Sequence, residues 1–364
     1  MIDRIKVIAI IFVIFIIAIM AYQALTTTEM EKKQKTNMTA HLGTVGEYET
    51  DDFNPSVYMK SWNYNDLPSE ERKRFYLETN LSDGTKLREY WIYAEDKKIE
   101  VAPGVYYDAW VYNGQAPAPT IRATEGDTIK IYFENRASKP HTAHFHGFHK
   151  AEMDGSMPHD FVMPGANFTY EFKADPVGVH LFHCHSTPLK DHISKGLYGM
   201  YIVDPKEGRE SANEIIMITN AFDTDYDGEN EVYAVNTRAF WYMAHPIKVK
   251  KGELVRIYIG NMVEFDPINS IHIHANFFNE YRTGTLDEPT QFTDIIELGQ
   301  GERSMLEITF NETGQYMFHA HQTEFSDLGW MGLFEVEDSD DIINGVNYQS
   351  KEFDITNNSM GMKE

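Results

Sequence analysis

Cysteine is almost missing from this chain: a single residue, Cys184, among 364. An intramolecular disulfide is therefore excluded, and stability must come from packing and ligand binding rather than covalent bridges. Positive charge is scarce as well. The 32 Lys and Arg face 56 Asp and Glu, giving a formal charge of −24 and a pI near 5.0. That balance argues against nucleic acid, whose backbone demands a basic footprint. It suits a chain kept soluble by self-repulsion and able to attract cationic partners. After about residue 60 no long amphipathic helical pattern occurs, and the text reads as strand and turn.

What the chain does contain begins at its N-terminus. Arg4 and Lys6 precede an almost unbroken apolar run over residues 7–21, and the chain turns polar at Gln23. A basic flank before an apolar run predicts an export signal or a short membrane anchor over residues 1–25. The remainder is expected outside the cytoplasmic membrane, anchored or secreted. Residues 26–60 and 341–364 are polar extensions without an assigned role. Aromatic residues make up 13% of the chain, mostly Tyr and Phe, which fits strand-rich domains.

One pattern occurs twice. Residues 118–131 read as strand, Gly turn at Gly126, strand, and residues 245–257 repeat this around Gly252. In each copy a His-x-His pair follows, then a second Gly turn (Gly178, Gly314), then an aromatic strand ending in another His-x-His. Repeats of this size with short alternating strands predict two β-sandwiches, over 61–207 and 212–340, joined near residues 204–213.

The four pairs are His144/His146, His183/His185, His272/His274 and His319/His321, and Cys184 stands inside the second. In a strand, residues i and i+2 share a face, so each pair presents two imidazoles together. The intervening residue faces the other way. Cys184 can therefore bind one metal while its flanking histidines hold another. One thiolate with many imidazoles is a ligand set for copper, whereas structural zinc favours more sulfur. Eight histidines match a three-metal cluster, with two ligands on one copper and three on each of two others. Together with the cysteine-bound copper, such a set stores the four electrons that take O2 to water.

The motifs His141-Thr142-Ala143-His144-Phe145-His146-Gly147, His180-Leu181-Phe182-His183-Cys184-His185 through His192, His272-Ile273-His274 and His319-Ala320-His321 resemble those of the multicopper oxidases. The resemblance spans about residues 90–336 and is to the two-domain, laccase-like branch related to copper nitrite reductases. It implies an all-β fold of two tandem cupredoxin-like Greek-key domains holding about four coppers per chain. His141, Cys184 and His192 would bind the type 1 copper, and Leu197 would occupy its axial position, with Met200 as rival. His144 and His272 would bind the type 2 copper. His146, His183, His185, His274, His319 and His321 would bind the type 3 pair. Asn269 and Ala320 replace a type 1 histidine and cysteine in the second domain, which is left with cluster ligands only. In relatives of this type the cluster forms between subunits of a ring of three, a homotrimer; the sequence leaves closure within one chain equally open.

The resemblance also sets the expected reaction. Reducing equivalents would enter at His192, whose imidazole edge lies nearest solvent in relatives, and pass through Cys184 to a cluster that reduces O2. Asp154 and Glu324, close in sequence to cluster histidines, are the candidate proton-relay acids. Copper nitrite reductases share the fold but carry a single type 2 copper on three histidines, with an aspartate where this chain has His144. A non-enzymatic copper-binding electron carrier is the third alternative, and it leaves the histidine pairs of the second domain unused. The donor is open among phenols, nitrogenous reductants, a redox protein and Cu(I). Met153, Met157 and Met163 bear on the last of these, since thioethers bind Cu(I); they also suit adaptable packing.

Overall fold

The computed structural model describes residues 46–50 and 75–338. The expected signal or anchor, most of the 26–60 extension and the 341–364 tail lie outside them. Among the described residues no helix is long and apolar enough to cross a membrane.

Local sequence explains the strands. Thr128–Asn135 alternates: Ile129, Ile131 and Phe133 are buried, while Lys130, Tyr132 and Glu134 turn outward, as a half-buried pleated strand requires. Its entry turn uses Gly126 at φ +86°, and the second copy uses Gly252 at φ +77°, a region costly for residues with a Cβ. Strands from Tyr76 to Asp204 form a five-stranded and a four-stranded sheet, and strands from Asn213 to Glu337 form a six-stranded and a five-stranded sheet. The copies repeat in detail. Ala118–Thr124 pairs in parallel with Tyr198–Asp204, as Ile247–Lys250 does with Met331–Glu337. The protein is thus all-β, two tandem cupredoxin-like sandwiches, as its sequence predicts.

Several strands near the junction of the sandwiches are buried on both faces, Gly178–His183 among them. Gly178–His183 turns Phe182 into its own sandwich and Val179 and Leu181 toward the second, where they meet Ile216, Ile218, Tyr258, Met262 and Met305. Continuous burial explains why this strand reads as an apolar run rather than an alternating one. At the margin of the interface Arg122 binds both Asp204 and Glu214, and Arg256 binds Glu214 and Glu307.

Register places the histidines. His144 lies directly across from His183 on antiparallel strands, and His272 directly across from His319. The residues inside the four pairs, Phe145, Cys184, Ile273 and Ala320, are all buried with 1% exposure or less. Alternation therefore turns each pair's imidazoles to the opposite face.

Candidate metal centres

Three side chains converge inside the first sandwich. Nδ1 of His141 and Nδ1 of His192 are 3.1 Å apart, and Cys184 Sγ lies 3.7 and 3.2 Å from them. Burial, with His192 also opposing the charge on His141, pushes the His141 imidazole down to about 3, and burial holds His192 at about 4. Burial likewise raises the Cys184 thiol, although amides of Ser186 and Thr142 favour its thiolate. Two neutral imidazoles and a thiol aim lone pairs at one point, a set that fits a soft, three-coordinate cation such as copper. Thr142 fastens this corner: its N–H donates to Sγ at 3.3 Å and its hydroxyl accepts the His185 N–H at 3.0 Å. Leu197 shares the apolar cluster of Cys184, and its carbonyl accepts the Cys184 N–H at 2.9 Å. Met200 belongs to the other cluster, between the sandwiches, paired with Leu181.

The eight histidines of the four pairs form two faces of four. On the first, Nε2 of His146 and His183 are 3.2 Å apart, with His144 and His185 adjacent at ring-centroid distances of 5.2–5.4 Å. On the second, Nε2 of His274 and His319 are 3.0 Å apart, beside His272 and His321. Carbonyls orient the rings. His183 Nδ1–H donates to Cys184 O at 3.0 Å, and His319 Nδ1–H to Ala320 O at 2.6 Å. His144 and His272 donate Nδ1–H to the carbonyls of Asp154 and Asp294, both at 2.8 Å. Nδ1 is thereby committed in four rings, which leaves Nε2 as the free donor, the arrangement metal-binding histidines use. Burial pushes His146 down to about 3 and His183 to about 4, so both are neutral and ready to ligate.

Multicopper oxidase sequence profiles match residues 94–208 and 213–340, one per sandwich. The chain belongs to the multicopper oxidase family. A crystal structure of a multicopper oxidase is 48% identical at a TM-score of 0.73, covering 78% of this chain and 97% of its own. A copper-containing nitrite reductase of Neisseria meningitidis is 29% identical over 266 residues, 66% of this chain and 67% of the relative. L-ascorbate oxidase of Cucumis sativus is 35% identical over 130 residues, 33% of this chain and 20% of that enzyme.

In this multicopper oxidase the second sandwich carries the outline of a thiolate site filled with apolar side chains. Ala320 N–H donates to Trp330 O as Cys184 does to Leu197, and Trp330 N–H to Phe325 O as Leu197 does to His192. Phe325 thus stands for His192 and Trp330 for Leu197, both buried. The two histidine faces are not joined. Among the described residues no contact links an imidazole of one to an imidazole of the other. A cleft over the first face is lined instead by Met262, Glu264, Gln300 and Gly301 of the second sandwich. On the second face His274 and His321 are exposed, and the rings of Phe277 and Phe292 meet at a tilt, 5.3 Å apart, at 54% and 67% exposure.

The two acids expected as relays differ in setting. The Asp154 carboxylate is 3.3 Å from His144 Nδ1. Burial raises its pKa, but the Ser156 hydroxyl and neighbouring imidazoles outweigh this and leave it lowered. Glu324 is exposed on the short helix Thr323–Asp327. The carboxylate beside His272 is that of Asp294, at 3.7 Å. Sequence reasoning missed Asp294, which lies 22 residues from its histidine; only the repeat, by analogy with Asp154, could have signalled it. His192, expected at the solvent edge, is 3% exposed and covered by Trp110.

Proposed function

We propose that this protein is a laccase-like oxidase that takes electrons singly from a reducing substrate and reduces O2 to water. The observation carrying this reading is the pairing of two four-histidine faces, alike in register and carbonyl orientation, with one buried thiolate site beside the first. His141, Cys184 and His192 would hold a type 1 copper, and Leu197, in the apolar cluster of Cys184, would stand beside it without a lone pair to offer. His144 and His272 would hold the type 2 copper. The close pairs divide the rest: His146 and His183 with one further imidazole, His321, and His274 and His319 with His185. Copper in these sites supplies the one-electron transfer and oxygen chemistry that side chains lack. Because the faces are separate within the chain, we place the complete cluster between copies, the first face of one subunit against the second face of the next, in a homotrimer. The exposed Phe277 and Phe292 support a partner there.

The chain's own residues do the remainder. Cys184 joins the sites, since its backbone runs directly into His183 and His185, and the 3.0 Å His183–Cys184 hydrogen bond closes a second link. Asp154 orients His144 and is assigned proton delivery. Asp294 stands at the matching place on the second face, and Glu324 is the second proposed relay by its position after His321. The runner-up, nitrite reduction, is favoured by the Neisseria relative. Its three-histidine type 2 site would leave His185, His274 and His319 without use. Metal analysis with optical and spin-resonance spectra tests the reading. About four coppers per chain with a strong thiolate-to-copper band is expected, and two coppers without a coupled pair would overturn it.

A further inference from the structure

Electron entry requires a route from solvent to a site whose ligands are all buried. His141 is 0% and His192 3% exposed. Among the described residues one aromatic ring, that of Trp110, packs against both imidazoles. The Trp110 indole packs on His192 with centroids 4.7 Å apart and meets His141 nearly edge-on at 5.1 Å. Trp110 is itself part-exposed on the strand Val105–Tyr112. On its outer side Lys195 Nζ lies 5.5 Å from the indole centroid and 4.8 Å from that of Tyr226, which is 56% exposed. The backbone that carries the indole is also tied down. The Trp110 main-chain N–H donates to Lys195 O at 2.9 Å, and Lys195 Nζ donates to Asp108 O at 3.0 Å. Lys195 caps the helix Leu189–Ser194 that carries His192, so this bond ties the strand of Trp110 to the end of that helix.

We propose that reducing equivalents enter this protein through the indole of Trp110 rather than through the imidazole edge of His192. The inference rests on the oxidase reading above and names the residue through which its donor is oxidised. A donor touching the indole loses one electron, and a phenol also releases its proton to solvent. The electron crosses the indole–imidazole contact, and the indole is left unchanged. Four such events supply the four electrons that, with four protons, convert one O2 to two waters. A π system in van der Waals contact with both imidazoles bridges a gap that a donor could not cross by touching His192 directly.

The two routes predict opposite signs. If the His192 edge were the entry, trimming Trp110 would uncover it and speed reduction. Copper-loaded wild type, Trp110→Leu and Trp110→Phe would be mixed anaerobically with hydroquinone, and bleaching of the thiolate-to-copper band followed by stopped flow. Redox titration and indole fluorescence during copper loading provide independent readouts. Trp110→Leu should bleach about tenfold or more slowly with unchanged band and potential, and Trp110→Phe should fall between it and the wild type. Copper loading should quench an indole emission that both variants lack. Equal or faster bleaching in Trp110→Leu, or quenching that persists in both variants, would overturn the proposal. Should the leucine variant not fold, Trp110→Phe decides, with slowing at unchanged potential supporting the proposal and no slowing overturning it. Failure of the wild type to form the band would count against the oxidase reading instead.

Discussion

At Leu197 the proposed blue site meets a side chain with no lone pair, and Met200, the nearest thioether in sequence, packs between the sandwiches. Leu197→Met would supply an axial sulfur, and the type 1 potential should fall, since an axial ligand tunes it. Each drop of about 59 mV makes the site tenfold harder to reduce. Redox titration of the visible band measures this. An unchanged potential in Leu197→Met, with a large change in Met200→Leu, would reverse the assignment. The imidazoles give a pH dependence at the same scale. Unfolded histidines protonate near 6.5, whereas His141 and His146 stay neutral to about 3 and His183 and His192 to about 4. The unfolded chain therefore binds protons first. Stability of the metal-free protein should be full above pH 6.5 and decline steadily as pH falls toward 3. Denaturant midpoints across that range check the slope, and a flat profile would contradict it.

At the scale of elements, the histidine strands depend on two glycines in matching places. Gly199 lies across from Phe182 and Gly332 across from Phe318, each beside the strand that ends in His183 or His319. A Cβ at Gly199 would come within 2.6 Å of the Phe182 ring, and one at Gly332 would collide with Phe318 and Tyr242. Gly199→Ala and Gly332→Ala should each cost about 1–3 kcal/mol through overpacking. Thermal or denaturant melts of metal-free protein measure this, and a neutral result would show that the rings are free to move. Strands and the faces of the paired histidines were legible in the sequence for a physical reason. Strand alternation and His-x-His spacing are local, so a single segment displays both the element and the face it offers. Trp110, Asp294, Phe325 and Trp330 were not legible. Their roles arise from contacts such as Trp110 with His192, 82 residues apart, which the fold creates and no local pattern announces.

At the level of the assembly, a cluster shared between copies, as proposed above, would link copper binding to trimer formation. A ligand held only by the assembled form stabilises it, by about 2.7 kcal/mol at 100 times its Kd. Removing copper by chelation should therefore shift trimer toward monomer in sedimentation, and reloading should reverse the shift. A monomer that retains about four coppers would instead place the whole cluster within one chain. The proposed reaction can be read by simultaneous measurement of O2 uptake and donor oxidation by the copper-loaded protein, with peroxide assayed and a parallel anaerobic run on nitrite. A four-electron oxidase consumes one O2 per four donor electrons, with no lasting peroxide and no nitric oxide. Nitric oxide from nitrite, or cycling of the blue band without catalytic O2 uptake, would contradict the proposed reaction.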